Sequence, residues 1–407
     1  MFNPFEDGFA ADPYPQYRAQ RETEPVQHLP IGPWIVFEHG ECTRLLRDTS
    51  LSVDARKARA IDPEQETVRR RIIAEVSPEA EVREDTSILN IDPPDHTRLR
   101  RLVSSVFTPR RIGDLQPLIA RLVDEHLDAA AARGGMDLVA DLAFPLPFAV
   151  ISEMMGMPVA DREQVRGWSH ALVRILDFTI GPDEMRAALQ AGENMRGHLT
   201  EVIAWKRANP ADDLLSALIR AEADGDVLSD TELLDQVMLL YIAGHETTVN
   251  LIGNGTWALL GHRDQLELWR DDPALGPSAV DELLRFDSPV QLSRRIALAD
   301  IEVGGFDVPA GAFVLTSLGS ANRDPAVFGP TAEQLDLRRP DAARHLAFGS
   351  GTHHCLGASL ARLQGAEAIG GLIRRFPELE ATAEPAWSGR LVLRGMESLP
   401  LTLGLGA

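Results

Sequence analysis

Cysteine is scarce in this chain. Its 407 residues hold two, Cys42 and Cys355, far apart in sequence, so no disulfide framework is assumed. Such sparing use suits a reducing cytoplasm. Apolar runs are short as well, and none approaches the ~18 residues that a membrane span requires. The opening stretch, MFNPFEDGFAADPYPQY, lacks a basic region ahead of an apolar one, which argues against a secretory signal. Positive charge is also in deficit. Forty Lys and Arg against 61 Asp and Glu leave a net charge of -21, which argues against a nucleic-acid partner and for a soluble chain. No Gly/Ser linker, low-complexity tract or internal repeat offers a place to divide the chain. One domain over residues 1–407 is therefore expected, despite a length that would allow two or three.

What is present reads mainly as helix, with short strands near both ends. WIVF looks like a strand, and residues 61–92 look charged and irregular. DPPDHTRLRRLVSSVFTPRR predicts a helix entered after Pro94 and ended before Pro109. Further helical patterns follow in LIARLVDEHLDAAAA, FAVISEMMGM and DDLLSALIRAE. The strongest begins at SDTE, where Ser229 and Glu232 form a capping box. It continues through LLDQVMLLYIAGHETTVNLIGNGTWALL, apolar almost all round, and should cross the centre of the protein. A short helix, AVDELLRF, stops before Pro289; strands follow in IEVGGFDVPAGAFVLTS; a last helix covers about 356–376.

The second cysteine sits in FGSGTHHCLG, residues 348–357. Gly349 and Gly351 let the loop turn tightly, and the helix that follows aims its free N–H groups at the sulfur, which favours a thiolate. Zinc on His353, His354 and Cys355 fails because adjacent residues cannot easily wrap one tetrahedral ion. The HE of GHETTV begins a zincin motif, but position 249 is Val where a second histidine must stand. A dinucleotide loop would need glycine where His354 stands. A cysteine nucleophile would need a histidine base and an orienting group that nothing in the sequence identifies. A single axial ligand to a cofactor bringing its own remaining ligands survives, and haem is such a cofactor.

FGSGTHHCLG resembles the haem-loop signature of the cytochromes P-450, Phe-Gly-x-Gly-x-His-x-Cys-x-Gly. Phe348, Gly349, Gly351, His353, Cys355 and Gly357 fill every specified position. In that family the cysteine thiolate pushes electron density onto iron and favours O–O cleavage. The resemblance extends from DPYPQYR to GMESLPL. AGHETT is similar to the family's oxygen-binding segment. It implies that Ala243 and Gly244 leave room for dioxygen, that Glu246 and Thr247 handle protons, and that Thr248 merely bonds back to a helix carbonyl. ELLR resembles the family's structural pair, here Glu282 and Arg285. Alone, such a pair is worth about 0.5 kcal/mol. Gln334 occupies the slot where a third, basic member of that network is expected. His96 and Arg100, Arg295 and His353 match positions that hold the haem propionates.

The resemblance implies a mainly α (α+β) cytochrome P-450 fold around a buried haem b, with Cys355 as the axial iron ligand. It implies a cytoplasmic, monomeric monooxygenase that inserts one oxygen atom of O2 into a hydrophobic small molecule. Electrons would come from an external ferredoxin and ferredoxin reductase. A peroxide-using peroxygenase and a non-catalytic haem protein or sensor are the alternatives, and an intact Glu246–Thr247 pair argues against both. Ile88, Leu89, Leu239, Leu240, Val290, Leu292 and Met396 are expected to line the substrate pocket. Arg98, Arg101, Arg110, Arg111, Arg344 and Arg362, outside an otherwise acidic surface, are expected to gather where the ferredoxin docks.

Overall fold

The computed structural model describes residues 1–30, 32–59, 63–78, 85–177, 180–223 and 225–404. Its axis is the helix Asp230–Leu260, about 46 Å long. The capping box forms as the sequence predicts: Ser229 Oγ accepts from the Glu232 N–H and the Glu232 carboxylate from the Ser229 N–H. A helix apolar on every side can only be stable when surrounded. Helices Pro145–Met155, Arg162–Leu172, Pro182–Ala208, Gly276–Phe286 and Ala358–Arg375 all pack on it. Against Ala358–Arg375 the packing is tight. A Cβ at Gly255 would stand 2.9 Å from Ile369 Cδ1, and one at Gly365 would stand 2.9 Å from Leu251 Cδ2. Two glycines, one on each helix, let the helix that follows the cysteine loop lie this near the axis.

The largest sheet has five strands, in the order Val26–His28, Trp34–Val36, Phe313–Ser317, Leu292–Ala297 and Leu51–Ser52. Phe313–Ser317 runs parallel to Trp34–Val36 and antiparallel to Leu292–Ala297, with Val314 opposite Arg295. Successive side chains alternate faces, so Arg294 and Arg295 leave this strand on opposite sides. Small two- and three-stranded sheets complete the structure. Among the described residues, no helix is long and apolar enough to cross a membrane.

Several expected elements appear within two or three residues: Asp95–Val106, Gln116–Arg133, Pro145–Met155 and Ala358–Arg375. Two expectations need correction. Within the supposedly irregular 61–92, residues Pro63–Val76 form a helix. Its later side chains are mostly exposed, so it carried no apolar stripe to read; residues 60–62 and 79–84 lie outside the described ones. The helices Arg162–Leu172 and Pro182–Ala208 were not anticipated, although the second is 27 residues long.

Candidate active site

The cysteine loop is shaped by its backbone. The Cys355 N–H donates to Phe348 O at 2.9 Å, and Gly349 and Gly351 take φ of +69° and +73°. At Gly351 a side chain is excluded twice over, since a Cβ would stand 2.8 Å from Leu46 O. Phe348 packs under the Arg362 guanidinium at 4.7 Å, and Arg362 is held by Asp281 at 2.6 Å. Cys355 stands just ahead of the helix and is exposed. Burial of its surroundings pushes the thiol pKa up, against the N–H groups of Gly357 and Ala358 and the charges of Arg100 and Arg362. The N–H groups at the helix start thus act in the direction the sequence reading expects, with burial opposing them; a coordinated metal removes such a proton outright. Cys42, by contrast, is sealed in the core with its thiol near Val36 O.

Beside the loop four basic side chains gather. The rings of His96 and His353 lie 4.1 Å apart. His96 is buried, yet neither ring nitrogen has a partner among the described residues. Burial, then His96, Arg295 and Arg100, holds His353 down to about 4. Burial lowers Arg295 to about 10. Arg100 bonds His354 O and is lowered by burial too. A buried imidazole with both nitrogens unpaired, set beside the guanidiniums of Arg295 and Arg100, is costly unless further polar partners meet it. Two carboxylates would satisfy this group. Among the described residues no three His, Cys, Asp or Glu side chains converge to hold a metal, so Cys355 can offer one sulfur and no more.

The central helix opens one face. Between Leu233 and Leu259 most of it is buried; Ile242 and Trp257 are partly exposed, and apart from them Leu239, Leu240, Ala243, Gly244 and Thr247 are partly or fully exposed. Their spacing puts them on one stripe. A Cβ at Gly244 would meet only Ile151 Cδ1, at 4.0 Å. Thr247 Oγ1 donates to Ala243 O at 2.9 Å, as Thr248 does to Gly244 O at 3.4 Å. Back-bonding was expected of Thr248 alone. In Thr247 it spends the single hydroxyl proton and leaves the lone pairs free to accept. Glu246, at the flank of this stripe, is buried and bonded by His170 and Arg390. Burial raises its carboxyl pKa, but the His170 hydrogen bond and the charges of Arg390 and His170 outweigh that and leave it below the ordinary value. His245 is structural, bonding Phe144 O at 2.8 Å.

The expected pocket residues do not all meet. Ile88 packs in a small cluster with Leu99 and Leu102, against which Leu239 also rests. It is placed by Gln236, which accepts from the Ile88 N–H at 3.1 Å and donates to Thr86 O at 2.7 Å. Asp235 takes both donors of Thr86. Leu240 borders the main core, Val290 borders the sheet core, and Leu89 is 45% exposed. Leu292 instead packs with Phe2, Tyr17 and Phe37, and Met396 lies in the main core against Gly253. The Glu282 network does have a third member, in Arg339, whose Nε lies 3.2 Å from Glu282; Gln334 contributes only its carbonyl. Of the expected docking arginines, Arg98 is taken by Asp226 and Glu232.

A metal held by one protein sulfur must draw its other ligands from a macrocycle, and a macrocycle with two carboxylates is what the cation group can meet. The fold and this geometry define a haem-binding oxygenase. The comparisons agree. The family model for Cytochrome P450 matches residues 51–264 and 275–385. Cytochrome P450 107B1 of Saccharopolyspora erythraea is 41% identical over 409 residues, covering 98% of this chain and 97% of its own. The vitamin D(3) 25-hydroxylase of Pseudonocardia autotrophica is 40% identical, covering 98% and 96%. The solved structure of PksS, the P450 of the Bacillus subtilis bacillaene polyketide synthase, superposes with a TM-score of 0.87 at 36% identity over 99% of this chain and all of its own. The chain belongs to the cytochrome P450 family. It is a P450 monooxygenase, and its cofactor is haem b.

Proposed function

We propose that this monooxygenase hydroxylates or epoxidises a large apolar molecule of polyketide or secosteroid type, with electrons from a ferredoxin and its reductase. It would act as a cytoplasmic monomer of one domain. The observation that carries this reading is the open stripe of Leu239, Leu240, Ala243, Gly244 and Thr247 on a mostly buried helix. Its upper part is apolar and continues toward Ile88; its lower part is small and ends in a hydroxyl. The names of two relatives, one acting on vitamin D(3) and one serving a polyketide synthase, support a bulky apolar substrate.

Bound haem supplies the iron at which dioxygen is reduced and cleaved. Cys355 would hold that iron from the loop side, and His96, Arg100, Arg295 and His353 would hold the propionates. Ala243 and Gly244 keep the helix backbone clear of side chains where dioxygen must fit. Thr247, its own proton committed to Ala243 O, accepts a hydrogen bond there. Glu246, one residue before it, brings protons. A peroxygenase would have no use for that arrangement. Ferredoxin would approach the helix Asp95–Val106 and the cysteine loop, which Arg100 ties together. Arg101 and Arg110 are exposed there.

Reconstitution with ferredoxin, reductase and dioxygen tests the reading. The reduced, CO-bound protein should show the long-wavelength Soret band of this family, and Cys355→His should abolish it. Polyketide macrolactones and secosteroids should shift the iron from low to high spin and be oxygenated. Absence of both the shift and product across that panel would refute the substrate class; a band surviving in Cys355→His would refute the ligand.

A further inference from the structure

Arg111 is expected at a docking face, and the structure gives it another setting. It stands in the short helix Pro109–Gly113, where Thr108 Oγ1 accepts from its backbone N–H. Its side chain borders an open cleft of about 500 Å³ between that helix, the end of the helix Pro145–Met155 and residues 212–214. No residue assigned to the haem or to the open stripe lines this cleft. Its apolar lining is Met154 and Leu214, both buried, and half-buried Leu115. Two of its carboxylates are committed: Glu153 to Arg162 at 3.0 Å, and Asp213 to Lys206 at 2.6 Å and the Ser216 N–H at 2.7 Å. Asp212 is fully exposed, and its Oδ1 stands 3.8 Å from Arg111 Nη2, beyond hydrogen-bond reach. Arg111 Nη1 is buried without a partner among the described residues. A guanidinium left in this way is costly until an acceptor meets it.

We propose that this cleft is a second ligand site, apart from the haem pocket, for a small monocarboxylate with an apolar body. Neither terminal nitrogen of Arg111 is hydrogen-bonded among the described residues, so its fork can turn to the cleft. There it takes the carboxylate through two parallel charge-assisted hydrogen bonds. Arg110, exposed on the same helix, adds a second positive charge to the lining. The apolar body of the ligand covers Met154, Leu115 and Leu214, and the volume suits a molecule of that kind. The charge of the ligand follows from the rest of the lining. With Glu153 and Asp213 neutralised by their partners, Arg110 and Arg111 are balanced by Asp114 and Asp212. That balance accepts one negative charge and disfavours the two of a phosphate monoester. An uncharged molecule would leave the Arg111 guanidinium unmet. The site is independent of the oxygenation proposed above.

The test titrates haem-loaded protein with para-trifluoromethylbenzoate, followed by fluorine NMR, with para-trifluoromethylbenzamide as the uncharged match. The iron spin state is recorded in the same samples. The benzoate should saturate one site at about 1 mM or below and leave the spin state unmoved. The benzamide should bind about 10-fold more weakly or worse, and Arg111→Gln should weaken the benzoate by a similar factor. Asp212→Asn alters a fully exposed side chain, removes a competing negative charge and should tighten binding about twofold to threefold. Both variants should keep the CO-bound Soret band of the parent, which checks that they fold. Amide exchange should slow on binding at residues 108–115 and not along the open stripe. Equal binding of the benzamide, or an unchanged affinity in Arg111→Gln, would overturn the proposal, as would weaker binding in Asp212→Asn. A spin shift that saturates together with the fluorine signal would put the probe over the iron and overturn it too. So would the absence of saturable binding up to about 10 mM.

Discussion

Glu282 and Glu246 invite comparison: each is a helical glutamate, buried, and paired with arginine. Around Glu282 every polar atom is spoken for. Arg285 Nε and Nη2 bond its two oxygens at 2.6 and 2.8 Å, and the Asp336 N–H and Arg339 Nε add to Oε1. The remaining donors of Arg285 reach the carbonyls of Asn322, Ala332 and Gln334, so all five N–H groups are used. Both side chains are 0% exposed. Around Glu246 the partners are looser. His170 is 44% exposed, Arg390 Nε has no partner among the described residues, and a cavity adjoins. Burial and ion pairing are common to both sites, so neither marks function. What separates them is the unsatisfied remainder, which at Glu282 is nil.

The sharpest way to break this comparison is to neutralise each glutamate. Glu282→Gln strands Arg285 and Arg339 without a counter-charge or access to water, and should cost about 3–5 kcal/mol of folding stability. Glu246→Gln keeps hydrogen-bonding capacity beside His170, whose side chain is 44% exposed, and should cost about 1 kcal/mol. Denaturant unfolding at neutral pH measures both, and similar losses would mean that the two sites are equally closed. The sign of the pH dependence follows from Glu246 having its folded pKa below the ordinary 4.5. Its stabilising share is present above pH 4.5 and fades as pH falls through the folded value. The gap between parent and Glu246→Gln should therefore narrow in acid.

A smaller change in structure, with a large one in chemistry, is Thr247→Ala. Among the described residues the hydroxyl bonds Ala243 O alone, a carbonyl already in the helix ladder, so stability should hardly move. Product per reductant consumed should drop by about tenfold or more, with hydrogen peroxide released in its place. Unchanged coupling would place the hydroxyl outside the proton path and leave Glu246 without its neighbour on the open stripe.

Much of this was legible in the sequence because the signals were local. The capping box at Ser229, the glycines of the cysteine loop and the i, i+3 spacing of Glu282 and Arg285 each lie within a few residues. Arg339 was missed because the third member was sought at Gln334, five residues short, where only the backbone takes part. Arg390 and His170 carry no pattern at all. They reach Glu246 from 144 and 76 residues away, and only the folded chain makes them neighbours. Leu292 and Met396 went the other way: apolar residues at pocket-like positions were already committed to core clusters. The helix Pro63–Val76 escaped because its exposed residues show no apolar period.

The mildest perturbation concerns a third polar attachment, neither closed like Glu282 nor charged like Glu246. Gln236 is 1% exposed, and its amide reads the N–H of Ile88 and the carbonyl of Thr86 as a neighbouring strand would. Asp235 beside it holds Thr86 and is held by Arg196 at 2.8 Å. Together they pin the segment bearing Ile88 to the central helix, close to where Leu239 begins the open stripe. Gln236→Ala leaves two backbone groups to find water, and each lost bond is worth about 1 kcal/mol. Asp235 remains, so the segment should loosen without detaching. Amide exchange at residues 86–88 should quicken about 10-fold while the rest of the central helix stays protected. Substrate affinity read by the spin shift should weaken by no more than a few-fold. Exchange unchanged at Ile88 would show that Asp235 alone sets the segment's position; exchange quickened along the whole helix would make Gln236 a member of the core, like Glu282, and erase the distinction between the sites.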